Sequence, residues 1–340
     1  MKIKKWIKRQ WKQFNTSPPV LVLMYHRVIN LELDPWNLAV SPQNFEQHLE
    51  ILKANKLVRP LSHINKLIQN KNNTHPSLFI TFDDGYMDNF LNAKPILEAY
   101  DLPATFFIST KQIGTSQTFW WDELTDLILN SPVLPKDLDL NFTHSFFSFD
   151  LKNDRILTEK LRNLHKTWNA TLPPPSLRAQ LYVDLWGYLS NLEYHEQQQI
   201  MGQLREWAGK YSEDFEMNNI SMEKSQLQSL SFNPLFQIGA HTNSHPLLPR
   251  LNKEEQKKEI YESKQFLESM SNLSIDSFAY PSGKFDQNTL EILKSQGFKT
   301  AFTTNPRLVK PTTDPLLIGR YQVNNWTGKE FKQQLSKWMS

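Results

Sequence analysis

Six short apolar runs set the terms for this chain: VLVLMYHRV (Val20–Val28), SLFITFDDG (Ser77–Gly85), ATFFIST (Ala104–Thr110), FQIGAHT (Phe236–Thr242), SFAYPSG (Ser277–Gly283) and TAFTTN (Thr300–Asn305). Each is rich in β-branched and aromatic residues, is no longer than a strand, and in most of them apolar side chains run without polar alternation. That is the pattern of strands buried on both faces. Helix signals fall between them. Ser41-Pro42 offers an N-cap followed by proline at the first helical position, and Phe45, Leu49 and Leu52 mark one buried face. A helix to about Tyr100 follows the second run. Asn252 with Glu255 forms a capping pair for a helix of about 18 residues, and a further helix is expected over about 286–296. Strands alternating with helices imply an α/β fold around a parallel sheet, doubly wound or closed into a barrel. In such folds the functional groups gather at the carboxyl ends of the strands.

At 340 residues the chain suits one large α/β domain carrying an insertion. A hydrophobic share of 39% with 12% aromatics is enough to build a core. There is no cysteine, so disulfides, Cys-ligated zinc and thiol nucleophiles are all excluded. The interval from about Phe119 to Asn218 breaks the alternation, has helix-like stretches around a Pro173-Pro174-Pro175 breaker, and reads as a mainly helical insertion. The main domain is expected to run from 20 to 340, after an N-terminal arm at 1–19.

That arm decides the charge. Residues 1–14 hold six basic side chains and no acid, so the net +3 leaves −3 for the rest, and no nucleic-acid surface is expected. Ile3, Trp6, Ile7, Trp11 and Phe14 fall on one helical face with the lysines opposite. Such a helix suits contact between residues 1–17 and an anionic membrane face. It equally suits an arm whose apolar side docks on the domain. No segment has the roughly 20 apolar residues of a membrane span, nor the ~7–15-residue apolar core of a secretory leader. The expected compartment is the cytoplasm, with a peripheral contact at the inner membrane surface.

Two motifs carry the chemistry. Asp83-Asp84 closes the second strand and is followed by Gly85. Adjacent strand residues point to opposite faces, so both acids share a site only if the chain turns there. Two neighbouring carboxylates repel and favour a cation between them. Alone, Asp-Asp-Gly also suits a solvated turn. His241 and His245 follow the fourth strand as H-x-x-x-H, a spacing that brings both rings to one face of a helical turn. Alone they also suit one capping and one packed histidine. Together, two histidines and a carboxylate make a three-ligand metal set that leaves a coordination position open.

Thr81-Phe82-Asp83-Asp84-Gly85 followed by His241-Thr242-Asn243-Ser244-His245 resembles the NodB-homology polysaccharide deacetylases, carbohydrate esterase family 4. The resemblance extends through MYHRV (Met24–Val28), DGYMDNF (Asp84–Phe90), ATFFI (Ala104–Ile108) and FAYPSG (Phe278–Gly283), covering roughly 20–115 and 220–340. It implies a distorted (β/α) barrel and a metal-dependent hydrolase that removes N-acetyl groups from the amino sugars of a glycan. It further implies a divalent metal, zinc first, on Asp84, His241 and His245, with Asp83 as general base. The third motif would supply an oxyanion N–H at Ser282, with Tyr280 and Pro281 lining the substrate.

Two departures from the family pattern matter. Its third motif begins with an Arg that orients the base, and here that position is Ala279; Arg320, in LLIGRY, is the candidate replacement from another strand. No histidine follows His245, so the usual C-terminal acid is missing. Tyr25-His26 resembles the N-terminal pair that supplies this group in a permuted, exopolysaccharide-linked branch, which makes His26 the candidate general acid. Trp121, in the Trp-Trp-Asp-Glu run opening the insertion, is expected either to stack on sugar or to anchor the insertion. His48, His63, His75, His144, His165 and His195 have no partner spacing. Loss of the Arg leaves a catalytically inactive sugar-binding relative as one alternative. A metal hydrolase acting on another amide or ester is the other.

Overall fold

The computed structural model describes residues 18–69, 75–141, 146–210 and 219–339; the basic arm at 1–17, and with it the expected membrane contact, lies outside them. The chain divides into two compact units, one built from residues up to 30 with 38–114 and 221–340, the other from 31–37 with 115–220.

The first unit contains a seven-stranded sheet of β1 (Val20–Tyr25), β2 (Ser77–Phe82), β3 (Ala104–Ile108), β4 (Phe236–Ala240), β5 (Ser277–Ala279), β6 (Thr300–Phe302) and β7 (Tyr321–Gln322). Their order across the sheet is β6-β5-β4-β3-β2-β1-β7, and every neighbouring pair is parallel. One segment then touches both edges. Ile318 bridges to Phe302 at the β6 side, while Tyr321 and Gln322 pair with Leu23 and Met24 of β1. The sheet therefore curls into a distorted (β/α) barrel, the closed one of the two arrangements that the strand and helix alternation leaves open and the one that the family resemblance implies.

Strand alternation sorts the core into two layers. Leu21, Leu23 and Tyr25 of β1 join the layer beneath the helices, whereas Val20 and Val22 join Phe79, Phe107, Ala279, Phe302 and Ile318 in the barrel interior. Counting in twos from these inner positions leads from Phe79 through Thr81 to Asp83, and from Gly239 to His241. The end of the barrel that carries Asp83 and His241 is thus an extension of its inner face. Gly239 belongs there because a Cβ at that position would overlap the Phe107 ring.

The helices of this unit include α1 (Pro42–Asn55), α2 (Lys94–Ala99), α3 (Lys224–Ser231), α4 (Lys253–Ser271), α5 (Gln287–Ser295) and α6 (Gly328–Trp338), with a short helix at Ile64–Gln69. Ser41 caps α1 by accepting the Asn44 N–H at 3.2 Å, and Phe45, Leu49 and Leu52 are buried. Asn252 and Glu255 form a reciprocal capping box at the start of α4.

The second unit holds helices Trp120–Thr125, Glu159–Thr167, Leu177–Leu189 and Tyr194–Ala208. It also holds an antiparallel hairpin of Asp137–Asn141 with Phe146–Asp150, which the helical reading of this interval missed. The fully buried Arg178 ties its loops together by donating to the carbonyls of Ile128, Ser131, Asp154 and Arg155. Residues 31–37 join it through Trp36, whose indole N–H donates to the Tyr182 hydroxyl at 2.9 Å and whose ring meets Trp186 at 4.4 Å.

Candidate metal and catalytic site

The end of β2 breaks where the two acids begin. Asp83 still pairs as a strand residue, donating its N–H to Tyr25 O at 3.0 Å. Asp84 then takes φ 73° and Gly85 φ 89°. This left-handed step turns the chain so that consecutive carboxylates can serve one site, and it costs on the order of 1–3 kcal/mol at a non-glycine residue. Thr242 and His245 carry the same signature, with φ 66° and 60°. The histidine motif is accordingly a strained loop, not the helical turn that its spacing predicts. His245 N–H donates to Thr242 Oγ1 at 3.0 Å, and the two imidazoles meet with centroids 4.9 Å apart.

Asp84, His241 and His245 converge, each offering a ligand atom within 4.8 Å of the others. His241 Nε2 lies 3.4 Å and His245 Nε2 3.6 Å from Asp84 Oδ1. Tetrahedral zinc with bonds of ~2.0–2.2 Å sets its donor atoms roughly 3.3–3.6 Å apart, so the set fits a small divalent ion. The tautomer of His241 fits too. Its Nδ1 lies 2.7 Å from Ala279 O, and a carbonyl only accepts, so Nδ1 carries the proton and the Nε2 lone pair faces Asp84. The position that lacks the family's Arg thus contributes its backbone instead.

The electrostatics point the same way. Burial raises the Asp84 carboxyl pKa, but the electrostatic pull of the neighbouring His241, His245 and His26 rings outweighs it and holds the group well below the carboxylate range. Burial opposes protonation of His241, yet Asp83 and Asp84 win and raise its pKa. Carboxylates that draw a proton onto that ring would equally draw a cation. Burial pushes His245 down to about 4, which keeps its imidazole neutral and able to ligate.

Asp83 is gripped from the far side. Arg320, fully buried, donates Nη1 and Nη2 to its two oxygens at 2.6 Å each. The guanidinium is steadied by Nε donating to Thr303 O at 3.2 Å, and it lies over the Phe107 ring at 5.6 Å. Burial raises the Asp83 carboxyl, but Arg320, with His241 and His26 nearby, outweighs it and keeps the group ionised. His26, just past β1, is half-buried and close enough for its charge to act on Asp83, Asp84 and His245. Its backbone is pinned: Asn89 Nδ2 donates to His26 O at 2.8 Å, and Asp88 binds both Arg27 Nε and Val28 N–H.

The remaining expected residues divide. Ser282 is exposed, at φ 51° in the turn after β5. Tyr280 and Pro281 are buried, and the Tyr280 hydroxyl donates to Leu316 O at 2.8 Å, so the ring belongs to the core and not to a substrate surface. Trp121 lies in the second unit, buried and stacked on Phe119 at 4.4 Å, a packing arrangement in place of the exposed sugar platform. Tyr25 turns away into the helix-side core, where its hydroxyl meets His48 Nδ1 at 3.3 Å. Sequence reasoning missed the Ala279 carbonyl, since backbone roles leave no residue-type signal.

A family model described as polysaccharide deacetylase matches residues 70–131 and 204–301. The putative polysaccharide deacetylase YxkH of Bacillus subtilis (strain 168) is 35% identical over 106 residues, a match spanning 31% of this chain and 37% of that relative's length. Among solved structures, the Streptococcus pyogenes deacetylase PplD in complex with acetate aligns with TM-score 0.54 and 19% identity, over 96% of this chain and 100% of that one. IcaB from Ammonifex degensii aligns with TM-score 0.57 and 18% identity, over 96% of this chain and 99% of that one. At such identities the likeness is one of fold.

Proposed function

The chain belongs to the polysaccharide deacetylase family, and on that premise we propose that it hydrolyses N-acetyl groups of amino sugars in a glycan or glycan precursor. The observation that carries this reading is the buried Arg320–Asp83 fork standing beside the Asp84, His241 and His245 ligand set.

Asp84, His241 and His245 would hold one divalent ion, zinc by their donor chemistry and spacing. When bound, the ion supplies Lewis acidity, lowering the pKa of water and polarising the acetamide carbonyl. Asp83, kept off the ligand set by Arg320, accepts a proton from the attacking water as its oxygen bonds to the acyl carbon. The Ser282 N–H stabilises the developing oxyanion. His26 then gives a proton to the departing nitrogen as the C–N bond breaks, so acetate and a free amine leave. The loss of Arg at position 279 would favour an inactive relative only if nothing replaced its charge. Arg320 does replace it, from the segment that closes the barrel.

Acetate release from defined N-acetylglucosamine oligomers, before and after chelation and zinc add-back, tests the proposal. Release that stops with chelator and returns with zinc supports it. Release indifferent to chelator would remove the metal reading, and no release under any metal would remove the activity.

A further inference from the structure

The strained loop that carries His245 does not hold itself in place. From the middle of α4, Glu259 reaches it with both carboxylate oxygens. Oε2 accepts the N–H groups of Asn243 and Ser244 at 3.0 and 2.8 Å, and Oε1 accepts the Ser244 hydroxyl at 2.7 Å. The Asn243 N–H also points at the Glu259 carbonyl oxygen, 3.1 Å away. The opposite side of the loop is tied to the end of β3, where Thr110 Oγ1 donates to Asn243 Oδ1 at 3.0 Å and Lys111 N–H to Asn243 O at 2.9 Å. Residues 243 and 244 are the whole span between the two left-handed positions, Thr242 and His245. Their two consecutive N–H groups share one acceptor, which braces the loop between its left-handed ends, and a loop relaxed at either end would swing the His245 ring away from Asp84.

We infer that Glu259 is a positioning residue for the metal centre, fixing the loop so that His245 stands at ligand distance from Asp84. The inference rests on the metal reading above. Glu259 touches neither the ligand atoms nor Asp83; it acts only through the backbone of Asn243 and Ser244. Its three contacts to the loop are all made by acceptor oxygens at a fixed reach from α4. A carboxamide of the same length keeps an oxygen for the two N–H groups, and its NH₂ can donate to Ser244 Oγ. An aspartate keeps the charge but falls a methylene short.

These differences define the test. Zinc dissociation constants of the full chain and of Glu259→Ala, Glu259→Asp and Glu259→Gln are measured by competition with a chromophoric chelator, and folding is monitored by circular dichroism. Outer partners of metal ligands typically control affinity about 10–100-fold. Glu259→Ala and Glu259→Asp are expected to weaken zinc binding by that order while remaining folded, and Glu259→Gln to stay within about threefold of the parent. If Glu259→Ala fails to fold, Glu259→Asp decides. A folded Glu259→Asp or Glu259→Ala with parental zinc affinity would overturn the inference, as would a Glu259→Gln as weak as the alanine variant. A parent chain that bound no zinc would instead remove the metal reading itself.

Discussion

Arg320 binds both carboxylate oxygens of Asp83 at 2.6 Å, although 237 residues separate the two in sequence. Both are buried, at 0% and 2% exposure. A bidentate guanidinium fixes the plane of the carboxylate and stabilises its charge. It also keeps Asp83 away from the ligand set that its neighbour Asp84 enters. In the function proposed above, that grip leaves Asp83 to act as the base while Asp84 joins the metal ligands.

Removing Arg320 should therefore cost stability as well as rate. Arg320→Ala leaves an uncompensated buried carboxylate, a change typically worth about 3–5 kcal/mol. Urea denaturation is expected to show a loss of that order, and acetate release should fall with zinc content retained. The double variant Asp83→Asn with Arg320→Met should recover most of the stability and none of the activity. Recovered stability in Arg320→Lys with full activity would mean that a point charge is enough and the fork is incidental.

His26 supplies the second proton step in this account. General acid catalysis is typically worth ~10²–10⁴-fold, and His26→Ala should lower kcat on the acetamide by that order without changing metal content. An aryl acetate, whose leaving group departs without protonation, should be hydrolysed nearly as well by the variant as by the parent. Equal loss on both substrates would assign His26 to positioning or packing instead of proton donation.

His48 offers a pH test away from the site. It is buried, stacks on Phe331 with centroids 4.1 Å apart, and its Nε2 lies 2.7 Å from Trp326 O. Burial lowers its pKa to about 4, overcoming the opposing carbonyl hydrogen bond. The unfolded chain, with an ordinary histidine at 6.5, binds the proton first as pH falls. The contribution is thus fully present above about 6.5 and is lost as pH drops toward about 4, amounting to about 2 kcal/mol by pH 5. The gap between urea midpoints at pH 7 and pH 5 should shrink in His48→Gln. An unchanged gap would place the acid sensitivity elsewhere.

Much of this was legible before the structure, for identifiable reasons. Buried strands need unbroken apolar runs, so their ends were visible, and the acids and histidines stand at those ends. Ser41 and Asn252 are caps whose chemistry is local, and both caps formed. What stayed hidden depends on closure in three dimensions. Arg320 could be named as a replacement for the missing Arg, but its reach depends on one segment spanning both edges of the barrel. The i, i+4 spacing of His241 and His245 suggested a helix because a strained loop with two left-handed residues has no periodicity to read. Trp121 could equally stack on sugar or anchor the insertion, because exposure is not written in residue type; it is buried with Phe119 covering one face.

The most direct test compares the two adjacent acids. Bound zinc and acetate release are measured side by side for Asp83→Asn and Asp84→Asn. The account requires that Asp83→Asn retain about one zinc per chain and lose turnover, and that Asp84→Asn lose the zinc and turnover together. A metal-free Asp83→Asn beside a metal-loaded Asp84→Asn would contradict it and reverse the two roles.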